Sequence, residues 1–218
     1  MTLSVDLFWS FRSPYSYLAT PRLVEMERDY DLCINVRPVY PLAVRSGDFF
    51  GKQNPLWIPY LLRDTMRIAE MLGLAYRWPR PDPVVIDPVT RAGVPDQPYI
   101  HRLTRLGCAA AEAGRGLPFL YEISTLLWSG KVDDWHKGDH MTNAAANAGV
   151  DLAALDARIA AEPDRYEAII QENQKAHQAS GHWGVPTCAF EGEPFFGQDR
   201  LDVLLWRLKQ RGLKARGA

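Results

Sequence analysis

Residues 3–17 read Leu3-Ser4-Val5-Asp6-Leu7-Phe8-Trp9-Ser10-Phe11-Arg12-Ser13-Pro14-Tyr15-Ser16-Tyr17, and the fold class turns on this stretch. Leu3, Val5, Leu7 and Trp9 alternate with Ser4, Asp6, Phe8 and Ser10, which is the period of a strand. Ser13-Pro14 then supplies a cap residue followed by proline at the first helical position, where its missing N–H costs nothing. Leu18, Leu23, Met26 and Tyr30 follow at helical spacing, so a helix is expected from Tyr15 to about Tyr30. Cys33 to Val39 reads as a second strand, ended by Pro38 and Pro41. Strand, helix and strand in that order predict two parallel neighbours joined by a right-handed crossover.

Further along, the pattern becomes helical. An amphipathic helix is expected from about Pro59 to Gly73, with Leu62, Met66, Ile68, Ala69 and Leu72 as its apolar positions. Pro79, Pro81, Pro83, Pro88, Pro95 and Pro98 predict an irregular loop at the surface. Helices follow over Tyr99–Ala113, Pro118–Ser129, about Met141–Ala148, Leu152–Ala161 and Pro163–Ala179, with Gly114, Gly130 and Gly149 as stops after three of them. Thr187–Phe190 and Pro194–Phe196 flank Glu191-Gly192-Glu193 and read as a β-hairpin. Asp199 to Leu208 is a closing helix capped by Asp199. The order is β-α-β, a long helical stretch, then β-β-α, which predicts an α/β fold with a large helical insertion. Residues 1–45 plus 181–218 would form one domain and 46–180 the inserted one.

Composition narrows the function classes. Of 218 residues, 47% are hydrophobic, which suffices for a core and argues against intrinsic disorder. With 25 basic and 26 acidic side chains the formal charge is −1, so nothing electrostatic speaks for a nucleic-acid partner. The N-terminal stretch has neither a basic region nor a small-residue cleavage site, and no apolar run approaches the ~20 residues of a membrane span. A cytoplasmic protein without a membrane partner is the expectation. Cys33, Cys108 and Cys188 are too widely spaced for a C-x-x-C or zinc pattern, which suits a reducing compartment. No phosphate-binding glycine loop and no G-x-S-x-G occurs.

Two details point to a split thioredoxin-like fold. Ser13-Pro14-Tyr15-Ser16 stands where a redox member would carry C-P-Y-C, and Gly184-Val185-Pro186-Thr187 stands where that fold places a cis-proline facing the active loop. Together with Phe196-Gly197-Gln198-Asp199-Arg200, these segments resemble the signatures of the kappa-class glutathione transferases and the 2-hydroxychromene-2-carboxylate isomerases, in the DsbA-like branch of the thioredoxin superfamily. Arg63-Asp64 and Arg67 in the first inserted helix are also similar, whereas residues 77–130 match only as helix.

The resemblance implies glutathione as cofactor, an aromatic small-molecule substrate and a homodimer. It puts the catalytic serine at Ser13, whose position at a helix N-terminus favours an anion and whose hydroxyl can donate to a thiolate. A plain helix cap is the other reading of Ser13. The backbone of Val185, before Pro186, would pair with the cysteinyl part of glutathione, although Gly-Val-Pro alone is also an ordinary turn. Gln198 and Asp199 would hold the γ-glutamyl end, with an N-cap as the alternative for Asp199. Arg200 contacts the peptide or is a solvated charge. Tyr15 and Asn54 complete the set of candidate contacts.

The chain also departs from the family pattern. The family's aspartate three residues before the serine is Ser10 here, and a second proline and a lysine ahead of the first inserted helix are missing, leaving Lys52 or Arg63 to fill that role. Arg12 reads as an exposed charge or a helper of the thiolate. His136 and His140, with Asp133, Asp134 and Asp139, lack a third ligand at defined spacing, and a polar loop explains them better than a metal site. His182-Trp183, just before Gly184, either borders the active site through its proximity to Val185 or has an ordinary loop role, and Trp57, Trp78, Trp128, Trp135 and Trp183 are either core or the lining of an apolar cavity. The resulting expectation is a glutathione-dependent isomerase of hydroxychromene-carboxylate-like acids. A kappa-like glutathione transferase and a redox-inactive binding protein are the alternatives. With serine at positions 13 and 16, dithiol exchange at the loop is excluded.

Overall fold

The computed structural model describes residues 2–46, 49, 52–87, 89 and 93–217. Strand β1 (Leu3–Trp9), helix α1 (Pro14–Asp29) and strand β2 (Leu32–Pro38) form the expected crossover, and β1 pairs with β2 in parallel from Leu3↔Leu32 to Trp9↔Pro38. Strands β3 (Thr187–Phe190) and β4 (Glu193–Phe196) complete a four-stranded sheet of order β2-β1-β3-β4, with β3 antiparallel to both neighbours. The hairpin turn is Glu191-Gly192, both with positive φ (49° and 82°), the backbone that a two-residue turn between twisted strands requires.

Between β2 and β3 lie α2 (Leu42–Arg45), α3 (Trp57–Met71), α4 (Ile100–Glu112), α5 (Gly116–Trp128), α6 (His140–Asn147), α7 (Leu152–Ala161) and α8 (Pro163–Ala179). Gly114, Gly130 and Gly149 end α4, α5 and α6 with φ of 69°, 72° and 78°, a conformation open to glycine without a Cβ clash. Helix α3 starts two residues ahead of the expected Pro59, which sits in its first turn where no intrahelical N–H bond is due.

Two expectations are corrected. The proline-rich segment lacks helix, but it does not merely cover the surface. Pro79, Pro83, Val84 and Gln97 are buried, and the Gln97 side chain bonds Val85 through both its oxygen and its nitrogen. Pro88 lies outside the described residues. The C-terminal helix begins as a 3₁₀ turn over Gln198–Arg200 and continues as α9 (Leu201–Gln210), and Asp199 makes no capping bond.

Alternation in β1 is only half of its story, because the sheet is covered on both faces. Trp9 Nε1 donates to the Ser16 carbonyl (3.2 Å) and to Thr20 Oγ1 (3.0 Å) on the α1 side. Phe8 is also buried and stacks on His177 of α8, ring centroids 4.6 Å apart. Helices α4 and α8 pack against β2 from within the helical stretch. Most buried apolar residues form one continuous cluster from Val5 to Leu213, with Phe8 and Val39 buried outside it. Trp128 and Trp135 belong to it, whereas Trp183 is 49% exposed.

Leu7, fully buried at the centre of β1, is expected to cost about 2–5 kcal/mol when cut to alanine, measured by urea unfolding. His177 gives a pH-dependent prediction. Burial pushes its imidazole down from 6.5 to about 4, with the nearby Arg45 charge adding to the shift. Below about pH 6.5 the unfolded chain takes up a proton that the folded chain refuses until about pH 4. Stability is therefore full above pH 6.5 and declines as the pH falls through that window. Between pH 7 and pH 4.5 the protein should lose roughly 2 kcal/mol more than a His177→Phe variant. Equal losses in urea titrations would disprove this.

Candidate active site

The end of β1 delivers the chain to Ser13 at the N-terminus of α1. Ser13 holds an extended backbone (φ −103°, ψ 114°), and its Oγ accepts from Ser16 N–H at 3.2 Å, so the capping reading is correct as far as it goes. The same hydroxyl lies 3.2 Å from the Val185 carbonyl, to which it donates. A capping oxygen thus also bridges 172 positions of sequence to the residue before Pro186. The Val185–Pro186 bond is cis, as expected from the motif. Val185 N–H has no hydrogen-bond partner among the described residues.

The loop carrying Ser13 is held from three sides. Ser13 N–H bonds the Ser10 carbonyl (3.1 Å), and Trp128 Nε1 donates to the Phe11 carbonyl (3.0 Å). Arg12 grips Asp82 through Nε and Nη2 at 2.9 and 3.0 Å, and Asp82 also accepts from Trp78 Nε1 and Val84 N–H. The Arg12 side chain is only 10% exposed, so the reading of an exposed charge is wrong: the guanidinium is a buried tie to the proline-rich segment. Its positive charge is matched by Asp82.

The other candidates divide into two groups. Gly197 N–H donates to the Pro186 carbonyl (2.9 Å), which sets the Gln198–Arg200 turn beside the cis-proline. Gln198 is buried and its carbonyl accepts from Arg22 Nη1 (3.3 Å). Asp199 and Arg200 are exposed and pair with each other at 3.5 Å. Tyr15 turns toward α3, where its hydroxyl donates to Asp64 (2.8 Å), itself paired with Arg67 (2.9 Å). Burial, then that bond, raises the Tyr15 pKa, so the phenol remains protonated. Asn54 stands apart: its Oδ1 accepts from Leu56 N–H (2.9 Å) ahead of α3, and no described contact joins it to Ser13. Lys52 and Arg63 are likewise exposed.

Sequence reasoning missed Asp82, because an ion pair 70 positions apart leaves no periodic trace, and it named Trp78 only as core or cavity lining, not as a donor to Asp82. His182 was named for its proximity to Val185, with an ordinary loop role as the alternative. Its Nδ1 accepts from Gly184 N–H (2.9 Å), which sets the tautomer, and its ring stacks on Phe196 at 4.0 Å. A Cβ on Gly184 would fall 2.4 Å from the Phe196 ring, so only glycine fits there. His136 packs against Tyr99 and Trp135, and among the described residues no group of three His, Cys, Asp or Glu converges.

No protein thiol serves this site. Cys188 pairs in register with Leu7 inside the sheet, and burial pushes its thiol up to about 12, so it stays protonated. Cys108 is sealed in α4 with the same upward shift, and Cys33 is exposed on β2. What converges at Ser13 is a hydroxyl, the positive dipole end of α1, and the backbone of Val185 with its carbonyl toward Ser13 and its N–H without a partner among the described residues. That set suits an anion attached to a short peptide.

Comparison with known proteins agrees with this fold. The chain is 26% identical over 208 residues to a 2-hydroxychromene-2-carboxylate isomerase of Sphingobium xenophagum, covering 94% of this chain and 97% of that one. A solved 2-hydroxychromene-2-carboxylate isomerase superposes with a TM-score of 0.70 at 21% identity, over 95% of both chains. The cytosolic disulfide reductase DsbM from Pseudomonas aeruginosa, solved with GSH, gives 0.59 at 18% identity, over 95% of this chain and all of that one (100%). Among the described residues no helix is long and apolar enough to cross a membrane. The DSBA-like thioredoxin domain matches residues 4–209, nearly the whole length, and the chain belongs to that family.

Proposed function

We propose that the protein is a glutathione-dependent isomerase acting on an aromatic acid of the hydroxychromene-carboxylate kind. One observation carries the reading. The loop that serves dithiol exchange in redox members holds serine at 13 and 16, with the Ser13 hydroxyl at a helix N-terminus, 3.2 Å from the Val185 carbonyl. Serine can hydrogen-bond a thiolate but cannot form a disulfide with it. The relative named as an isomerase supports the same reaction class.

The residues present fit glutathione. Val185 offers a free N–H and a carbonyl to the cysteinyl backbone, next to Pro186. Gln198 and Asp199 flank the turn tied to Pro186 and take the γ-glutamyl end, with Arg200 beside them. Tyr15, its hydroxyl committed to Asp64, contributes its ring. Asn54 takes part only if the start of α3 moves toward the loop. When bound, glutathione supplies a thiolate that adds reversibly to a conjugated acid and is released unchanged, allowing isomerisation without net redox change.

A free thiol is mostly protonated at neutral pH, so the work of this chain is to favour the anion. On binding, Ser13 Oγ–H turns from the Val185 carbonyl to donate to the sulfur, and the Tyr15 N–H and the dipole of α1 add positive potential at the same point. The half-exposed Trp183, against Phe49 at 5.3 Å, gives a flat apolar wall near Val185 for the aromatic part of the acid.

Ser13→Ala should fold with a loss of about 1 kcal/mol from the missing cap, yet lower kcat/KM about 10²–10³-fold. Unchanged glutathione-dependent turnover would remove Ser13 from this role. Calorimetry with millimolar glutathione tests the cofactor, and no heat of binding would leave a non-catalytic binding protein. Product analysis settles the reaction: free glutathione recovered with an isomerised acid is expected, whereas thiol loss with an adduct means conjugation.

A further inference from the structure

Four arginines have a guanidinium Nε sealed from solvent: Arg37, Arg45, Arg77 and Arg105. Three of them stand beside a carboxylate. Arg37 lies 2.9 Å from Asp6, Arg105 lies 3.5 Å from Glu167, and Arg77 pairs with Asp133. Arg45, the last residue of α2, has none among the described residues. Its Nη2 donates to the Trp183 carbonyl at 2.5 Å and its Nε has no acceptor. Burial pulls its pKa down to about 10, which still leaves it cationic at neutral pH. Nearby His177 is buried and neutral, with both ring nitrogens unbonded. A partly buried cation without a counter-ion is costly unless something anionic completes it.

The place of Arg45 says what that anion is attached to. Trp183 is two residues before Val185. A peptide residue that exchanges both of its backbone bonds with Val185 forms the hydrogen-bonded pair of an antiparallel ladder. The bound peptide then runs opposite to residues 183–187. Its N-terminal side lies toward Pro186 and the Gln198–Asp199 turn, and its C-terminal side lies toward Trp183. With the cysteinyl unit of glutathione at Val185, the glycyl carboxylate comes to the end where Arg45 waits.

We propose that Arg45 is a carboxylate-binding residue of the candidate site, and that the carboxylate it receives is the glycyl end of glutathione. The inference rests on the glutathione reading and adds a residue to it. A planar guanidinium with free donors suits a carboxylate, and its carbonyl contact to Trp183 holds it in place before the ligand arrives.

Calorimetry with two probes, glutathione and its glycine monoethyl ester, tests this on the wild-type protein, Arg45→Gln and Arg45→Lys. The ester should bind the wild type about 10–100-fold more weakly than glutathione. Arg45→Gln should weaken glutathione by a similar factor and bind both probes alike, while Arg45→Lys recovers part of the loss. If the ester binds the wild type as well as glutathione does, the proposal fails without reference to any variant. It fails equally if Arg45→Gln still distinguishes the two probes. An Arg45→Gln variant that binds glutathione normally but shows a raised KM for the aromatic acid assigns the guanidinium to the acid's carboxylate instead, again against the proposal. No glutathione binding to the wild type overturns the parent reading as well, so the two failures are told apart.

Discussion

The Trp128 indole donates a hydrogen bond to the Phe11 carbonyl, and the arrangement of the site depends on it. Trp128 closes α5, in the helical stretch, whereas Phe11 belongs to the loop that carries Ser13. The indole is fully buried, stacked near Tyr17 and Tyr76 and edge-on to Trp78 at 5.0 Å. A buried carbonyl without a partner would cost about 1–3 kcal/mol, so this bond does more than position the loop. Arg12 and Asp82 add a second tie a residue later, and Asp82 is in turn bonded to Trp78. The helical stretch therefore fixes the loop from behind, leaving Ser13 and Val185 to face outward with little freedom.

Electrostatic economy follows from that frame. The charges around the loop are paired internally: Arg12 with Asp82, Arg67 with Asp64, Arg22 with Asp202. Among the described residues, no carboxylate stands against the positive end of α1 or the guanidinium of Arg45. Both lie along the Val185 backbone, one near its carbonyl and the other next to the preceding Trp183 carbonyl. These two positive poles, with the unbonded Val185 N–H between them, are what the proposed binding of a short anionic peptide draws on. The two buried thiols of the chain are held protonated, so in the proposed reaction the sulfur is that of the bound peptide.

Much of this was legible in the residues. The strands and α1 follow local rules: alternation, a cap, a proline at the first helical position, glycine after a helix. Ser13, Val185 and Pro186 were legible because the motif is compact and its members touch. Asn54 was read in the same way but sits at the approach to α3 with its side chain spent on Leu56, because nothing local says where an inserted helix will start. The proline-rich segment was misjudged for a related reason. Proline signals irregular backbone, but burial depends on which neighbours meet it, and here Arg12, Trp78 and Gln97 satisfy its polar groups.

The sequence by itself determined the element order, the parallel crossover and the serine-for-cysteine loop, since each rests on spacing and side-chain chemistry within a few residues. Only the tertiary structure decided that Arg12 is neutralised by Asp82 while Arg45 meets the Trp183 carbonyl and no described carboxylate, that Tyr15 answers to Asp64, and that Cys188 is sealed against Leu7. The physical reason is one of range. Helix and strand preferences are encoded by neighbours along the chain, whereas the charge and protonation state of a side chain depend on burial and on partners tens to more than a hundred positions away.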